Sequence, residues 1–154
     1  MGIQRVGHAV LKVRDMEASK KFYVGVLGMK ISSESSHATF FRFGDYHHDI
    51  GVFKVSENAQ AAQADQVGLL HVALVVDSQK SLVDLYHDLE SKGVKVESML
   101  DHGMTRSLYI YDPDGNAIEI YCEVPEYDWR ANSDFLHLKP LDIATLEADP
   151  ASQA

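Results

Sequence analysis

The sequence has little cysteine and few basic side chains. Cys122 is the single cysteine, so an internal disulfide is excluded. Lys and Arg number 14 against 23 Asp and Glu, which gives a formal net charge of −9. Proteins that bind nucleic acid concentrate basic residues to neutralise phosphates, so we expect no nucleic-acid partner.

Long apolar runs are also missing. No stretch approaches the roughly 18 apolar residues that a membrane-spanning helix needs. Met1 is followed by polar residues rather than by the apolar core of a signal peptide. We therefore expect a cytoplasmic protein without a membrane partner. A chain of 154 residues buries about two-thirds of its unfolded surface, so it needs no metal to fold, and a bound metal would be functional.

The pattern of the chain repeats once. A strand at 6–13 is followed by a helix at 16–27, between Asp15 as N-cap and Gly28, and then by strands at 30–35, 39–43 and 49–55. The same order returns as a strand at 69–76, a helix at 82–92 capped by Ser78, and strands at 94–100, 106–111 and 117–123. This predicts an α+β fold of two βαβββ modules, about 3–55 and 68–123, with a linker at 56–67. Together they form an eight-stranded domain over 1–124, followed by a C-terminal tail at 125–154.

Two histidines and one glutamate lie within predicted strands of this repeat. His8 and His71 lie in the first strands of the two modules, and Glu119 lies inside the last strand of the second. A carboxylate in the middle of a strand is costly unless it is paired or binds a metal. Two imidazoles and one carboxylate match the facial triad that leaves one side of an octahedral ion open to substrate and dioxygen. We predict that His8, His71 and Glu119 bind a metal.

Two segments carry a family resemblance. Residues 7–23 with Leu27-Gly28-Met29 look like the opening of a vicinal oxygen chelate module. The run from His102 through Tyr109 to Asp112-Pro113, Gly115 and Glu119 resembles the signature of type I extradiol ring-cleavage dioxygenases. The spacing agrees throughout, and the one departure is Leu100, where the signature usually has a small or β-branched residue.

The resemblance implies a half-barrel fold and an Fe(II) enzyme that inserts both atoms of O2 into a catechol, cleaving the ring beside the diol, with Mn(II) as another metal that this ligand set accepts. The chain resembles the catalytic domain of such an enzyme standing alone. The resemblance implies a role in aromatic hydrocarbon catabolism and a homo-oligomer. His102 and Tyr109 match the residues that hydrogen-bond the substrate oxygens. His48 matches the residue that delivers a proton as the O–O bond breaks, for which an unperturbed imidazole is suited. Because strand side chains alternate, His48 is expected to point inward and His47 outward or to the rim.

Other members of the superfamily are alternatives. A glyoxalase-like isomerase usually has a fourth ligand from the module-one strand that corresponds to Glu119, and here that strand reads Ile50-Gly51-Val52-Phe53. An epimerase, a fosfomycin-type thiol transferase and a non-catalytic drug-binding relative are the others. The transferase would need a cationic pocket, and the drug-binding protein would need no His-His-Glu set.

The remaining candidates are interpreted as structural. His37, His87 and His137 are assigned to a turn, an exposed helix and the tail, and Cys122 is predicted to be a small buried side chain. The segment 112–115 is predicted to be a turn rather than a calcium loop. In the tail, the last eight or so residues are expected to be frayed. Its apolar side chains are expected to pack near the mouth of the half-barrel or across a subunit interface; they are Trp129, Phe135, Leu136 and Leu138.

Overall fold

The structure is a computed structural model that describes residues 2–63, 65–132 and 137–152. The chain divides into two compact units. Unit 1 consists of residues 1–68 and 112–116, and unit 2 consists of residues 69–111 and 117–154. Phe135 and Leu136, two of the apolar tail residues expected to pack near the mouth, lie outside the described residues.

Unit 1 contains a four-stranded mixed sheet and one helical segment. Its strands are β1 (Ala9–Val13), β2 (Lys30–Glu34), β3 (Ala38–Arg42) and β4 (Ile50–Lys54). They lie in the order β1-β4-β3-β2, with β1 and β4 parallel and the other pairs antiparallel. This is the predicted β-α-β-β-β order, with strand ends that differ by up to three residues from those predicted.

The helical segment of unit 1 begins as an α-helix and ends as a π-helix. Helix α1 (Met16–Lys20) continues as a π-helix at Lys21–Val26, where one helix at 16–27 was predicted. Asp15 caps the start as predicted, because its side chain accepts from the backbone N–H groups of residues 17 and 18. Gly28 has φ +71°, the left-handed conformation that ends a helix and favours glycine.

The core of unit 1 lies between the helical segment and one face of the sheet. The ring of Tyr23 stacks on Phe41 with centroids 5.0 Å apart, and both side chains are fully buried. The neighbouring strands add alternate side chains to the same face, as strand geometry requires; these are Leu11, Val13, Ile50 and Val52. On the opposite face Val10 and Phe53 are 47% and 44% exposed.

The turn at 112–116 belongs to unit 1 and is tightly bonded. The carboxylate of Asp112 accepts from the hydroxyl of buried Tyr23 at 2.9 Å and from the backbone N–H groups of Asp114 and Asn116. Arg14 also donates to Asp114 at 2.6 Å. Burial, and then the charge of Asp112, raise the pKa of Tyr23, so its hydroxyl stays a donor. The segment is the predicted turn.

Unit 2 repeats this arrangement and adds a strand. It contains β5 (Val72–Val75), α2 (Gln79–Ser91), β6 (Ser98–Asp101), β7 (Thr105–Tyr111), β8 (Ala117–Glu123), β9 (Lys139–Pro140) and α3 (Ile143–Ala148). The sheet order is β5-β8-β7-β6-β9, so its first four strands follow the order of unit 1. The predicted α+β fold with two mixed sheets is confirmed. The predicted strand number of eight is one too few, because the described residues include β9.

Helix α2 packs against β8, and its first residue is hydrogen-bonded to Leu146 and Ser152 near the C-terminus. Ser78 caps α2 as predicted, by accepting from the backbone N–H of Ser81 at 3.1 Å. Gln79 Nε2 donates to the carbonyl of Leu146 at 3.2 Å and to Ser152 Oγ at 2.6 Å. Leu146 and Ser152 are buried, so the expectation that the last eight residues are frayed is wrong as far as Ser152. None of the helices in the described part of the chain is long and apolar enough to cross a membrane.

Candidate active site

The two predicted histidine ligands occupy equivalent places in the two units. His8 lies immediately before β1 and His71 lies immediately before β5. Both were expected inside the first strand of their module. Each of these strands pairs in parallel with the last strand of its own module, β1 with β4 and β5 with β8. The equivalence predicted from the repeat is therefore present in the strand register.

Glu119 lies in the middle of β8, opposite Ala73 of β5 and Tyr109 of β7. The residue is 8% exposed, and its Oε2 lies 3.0 Å from Nε2 of His71. Residues Ile118 and Ile120 point to the opposite, helix-facing side, as strand alternation requires. Two of the three predicted metal ligands thus meet within unit 2.

Tyr109 and His102 extend this group along the same sheet. The Tyr109 hydroxyl is 2.9 Å from Glu119 Oε1 and 2.9 Å from Nε2 of His102. Burial, and then the neighbouring Glu119 carboxylate, raise the pKa of Tyr109 to about 12. Tyr109 is therefore a neutral hydrogen-bond donor near pH 7. The structure brings together four of the predicted site residues, namely His71, His102, Tyr109 and Glu119.

His8 and the predicted proton donor His48 lie together in unit 1. Their ring centroids are 4.2 Å apart, and His48 also packs against Phe40 at 4.8 Å. His47 and His48 lie in the bend before β4 rather than on a strand. Their rings are 4.4 Å apart with Nδ1 atoms at 2.6 Å, so they do not lie on opposite faces of a strand. His47 is nevertheless exposed and Nε2 of His48 is buried, as expected. Strand alternation does not apply outside the strand.

The imidazole of His48 is perturbed, contrary to the sequence expectation. Burial, and then the nearby His8 and His47, lower the pKa of His48, so the ring is neutral near pH 7. Its Nε2 atom is buried, and no hydrogen-bond partner for it lies among the described residues. A buried polar atom without a protein partner is rare and marks a place where a ligand or water is bound.

Phe40 packs beside the candidate site residue His48, and the sequence analysis did not single it out. In unit 1, Gly51 of β4 pairs with Val10 of β1 and with Phe40 of β3. In unit 2 the equivalent central position is Glu119, flanked by Ala73 and Tyr109. A Cβ at Gly51 would lie 3.0 Å from the Phe40 ring. Aligning the two repeats residue by residue would have found Phe40 as the counterpart of Tyr109.

The remaining histidines are placed mostly as predicted. His87 lies on the surface, where its Nε2 is 2.7 Å from Glu147 and its Nδ1 is 3.5 Å from Glu90. His37 is exposed in a turn, and Cys122 is buried. His137 was excluded from the site, yet its main-chain carbonyl lies 2.7 Å from Nδ1 of His102. Only the tertiary fold reveals this contact, because it joins residues 35 positions apart.

Some of the candidate ligands could hold a metal. Two ligand atoms bound at about 2.1 Å in neighbouring positions of an octahedron lie about 3.0 Å apart. The separation between His71 Nε2 and Glu119 Oε2 is 3.0 Å, and the donor types are those that divalent iron and manganese accept. His8 belongs to the other unit. Across the described ranges, no group of three or more His, Cys, Asp or Glu side chains is arranged to hold a metal ion.

Comparison with known proteins identifies the family. The Glyoxalase/Bleomycin resistance protein/Dioxygenase superfamily matches residues 5–120, and the chain belongs to this superfamily. This confirms the resemblance to the vicinal oxygen chelate superfamily. A lactoylglutathione lyase from Agrobacterium tumefaciens, solved by crystallography, has the same fold with a TM-score of 0.64 at 22% identity, over 79% of this chain and 96% of that chain.

The relatives include enzymes of two kinds. Biphenyl-2,3-diol 1,2-dioxygenase 2 of Rhodococcus globerulus is 31% identical over 116 residues, which are 75% of this chain and 61% of that protein. The chain thus spans less than two thirds of that dioxygenase. A probable lactoylglutathione lyase of Synechocystis sp. is 28% identical over 123 residues, which are 73% of this chain and 91% of that protein.

Proposed function

We propose that the protein is an Fe(II)-dependent extradiol dioxygenase that cleaves the ring of a catechol with both atoms of O2. The observation that carries the proposal is the hydrogen-bonded group His71, Glu119, Tyr109 and His102 on one sheet of unit 2. It combines an imidazole and a carboxylate at ligand spacing with two polar groups beside them. The similarity to the Rhodococcus dioxygenase supports the same reaction class.

The proposed metal ligands are His8, His71 and Glu119, and Mn(II) could replace Fe(II) in such a set. Bound there, the metal would lower the pKa of the catechol and allow electrons to pass from the catechol to O2. A set of three protein ligands would leave the metal accessible to the substrate and O2. Both oxygen atoms end in the ring-opened product, and the electrons that reduce O2 come from the cleaved carbon–carbon bond.

Tyr109 and His102 are proposed to orient the substrate. Since the pKa of Tyr109 is raised to about 12, its hydroxyl keeps its hydrogen and can donate to a catechol oxygen. His102 is fixed at 2.9 Å from that hydroxyl and is 12% exposed at its side chain, so it offers a second, largely desolvated hydrogen-bonding group. Both groups discriminate a diol from an aromatic ring that lacks hydroxyls.

His48 is proposed to carry the proton that the reaction requires. Its Nε2 has the free hydrogen-bonding capacity that the role needs, because that atom is buried with no partner among the described residues. Its lowered pKa makes the neutral ring the resting form. His48 therefore first accepts a proton from the incoming catechol and returns it when the O–O bond breaks.

A lactoylglutathione lyase-like isomerase is the second candidate function. It is favoured by the Synechocystis relative, 91% of whose length this chain spans. Against it stands Gly51, which takes the place in unit 1 that Glu119 takes in unit 2 and offers no fourth ligand. The Phe40 ring beside Gly51 also leaves little room for a carboxylate side chain there.

The deciding experiment is anaerobic reconstitution with Fe(II), followed by air and a panel of catechols. We expect oxygen uptake and a yellow ring-opened product. His71→Ala and Glu119→Ala should lose iron and activity, whereas His48→Phe should keep iron and lose most of its turnover. His87→Ala is the matched control, because His87 lies on the surface. Full iron occupancy with no oxygen uptake, together with turnover of a glutathione hemithioacetal, would instead support the isomerase.

A further inference from the structure

We propose that the C-terminal tail is a positioning element of the active site. Through the main-chain carbonyl of His137 it holds His102 in the tautomer that has its hydrogen on Nδ1, so that Nε2 faces Tyr109 as an acceptor. The consequence for catalysis rests on the proposed function. The tautomer itself is a property of the metal-free protein and can be measured separately.

The hydrogen-bond partners of His102 dictate this tautomer. Nδ1 lies 2.7 Å from the carbonyl oxygen of His137, and a carbonyl oxygen only accepts hydrogen bonds. Nδ1 must therefore be the donor. A neutral imidazole has one N–H, so Nε2 has a lone pair, and the hydroxyl of Tyr109 lies 2.9 Å from it.

Strand β9 brings the His137 carbonyl to this place. It pairs antiparallel with β6, matching Pro140 with Leu100 and Lys139 with Asp101. The residues just before β9 therefore lie beside the residues just after β6, which are His102 and Gly103.

Gly103 allows the tail to approach closely. Its φ of +83° favours glycine, and a Cβ there would lie 3.0 Å from the Tyr127 ring and 3.3 Å from the His137 ring. The backbone N–H of Val124, the residue just before the tail, donates to the carbonyl of Met104 at 2.8 Å in the same loop. The loop that carries His102 is thus enclosed by tail residues.

The orientation of His102 matters because Tyr109 has one hydroxyl hydrogen and two neighbours at 2.9 Å, His102 Nε2 and Glu119 Oε1. The hydroxyl of Tyr109 donates to Glu119 Oε1, and with Nε2 as an acceptor His102 competes with Glu119 for that same hydrogen. In the other tautomer Nε2 would donate, and the Tyr109 hydrogen would be directed to Glu119. The tail thereby sets the direction of the hydrogen bonds around the proposed metal ligand.

The test uses Gly103→Ala and the matched control Gly93→Ala. Both glycines have positive φ, 83° and 71°, but a Cβ at Gly93 meets nothing within 4 Å. Long-range ¹H–¹⁵N spectra of the metal-free full chain, recorded above pH 8, show which ring nitrogen of His102 has the hydrogen, with His102→Gln to assign the signals. We expect Nδ1–H in the wild type and in Gly93→Ala, and a gain of the Nε2–H form in Gly103→Ala.

A second variant covers the case in which Gly103→Ala does not fold. Tyr127→Ala removes the ring that packs on Gly103, and we expect a gain of Nε2–H in the same direction. In Fe(II)-loaded protein both variants should keep their iron and lose about tenfold to a hundredfold in kcat, with KM less affected. An Nε2–H wild type, or unchanged Nδ1–H in both variants, would overturn the proposal. Wild type with Nδ1–H but no ring cleavage would support the tail's role and contradict only the dioxygenase function.

Discussion

The hydrogen bond between Tyr23 and Asp112 provides a stability prediction that is independent of the proposed activity. Both side chains are buried, at 0% and 4% exposure, and the hydroxyl donates to the carboxylate at 2.9 Å. Tyr23→Phe removes one hydrogen bond to a carboxylate that retains its three donors from Asp114 and Asn116. Because nothing is left unsatisfied, the expected loss is about 1–2 kcal/mol.

Asp112→Ala is expected to cost more. It removes four accepted hydrogen bonds, three of which hold the turn, and leaves the hydroxyl of Tyr23 buried without its acceptor. The expected loss is about 3–5 kcal/mol. In the double variant Tyr23→Phe/Asp112→Ala no orphan hydroxyl remains, so the loss should fall short of the sum of the single losses by about 1–2 kcal/mol.

The assay is urea unfolding of all four proteins, followed by circular dichroism and tyrosine fluorescence and compared at constant m-value. Tyr86→Phe is the matched control, since the Tyr86 hydroxyl donates to exposed Glu90 at 3.2 Å. It should change the free energy of unfolding by less than about 0.5 kcal/mol. Additive losses in the double variant, or a Tyr23→Phe variant as stable as the wild type, would refute the buried hydrogen bond as a source of stability.

Three further predictions concern the site and the chain end. Tyr109→Phe should retain iron and lower kcat by about tenfold to a hundredfold, measured as oxygen uptake; unchanged kcat would remove Tyr109 from the site. Gln79→Ala should lower the free energy of unfolding by about 1–2 kcal/mol and speed C-terminal proteolysis, because the anchor of Ser152 is lost; equal proteolysis rates would contradict this. The hydrogen bond from Arg106 lowers the pKa of Asp149, so its stabilisation is present at neutral pH and is lost as pH falls below about 3.8. Arg106→Gln should weaken this acid dependence in unfolding midpoints measured from pH 2 to 6, and an unchanged profile would count against it.

The repeat was readable from the sequence because its signals are local. Alternating β-branched residues, the caps Asp15 and Ser78, and glycines at 28 and 93 each act within a few residues of their own position. Strand β9 was not predicted. It has two residues, one of them Pro140, and two residues are too few to show the alternating pattern of a strand. Its pairing with β6 joins segments that are distant in the chain, and local sequence patterns do not reveal such a pairing.

Part of the candidate site could be predicted from the sequence. The spacing of His102, Tyr109 and Glu119 along the chain indicated a common site, and in the structure the Tyr109 hydroxyl lies 2.9 Å from both His102 Nε2 and Glu119 Oε1. The pairing of His47 with His48 was mispredicted, because a strand was assumed where the chain bends. The lowered pKa of His48 could not be predicted from the sequence either, because it arises from burial and from residues brought near by folding.

The sequence by itself determined the duplication, the α+β class, the polar residues of the site and the acidic charge, because each follows from local pattern or composition. Only the tertiary structure decided that Gly51 and Phe40 stand where the other unit has Glu119 and Tyr109, and that the tail carbonyl of His137 holds His102. Strand register and main-chain contacts between distant residues are set by packing many side chains at once. No short segment of the sequence contains that information.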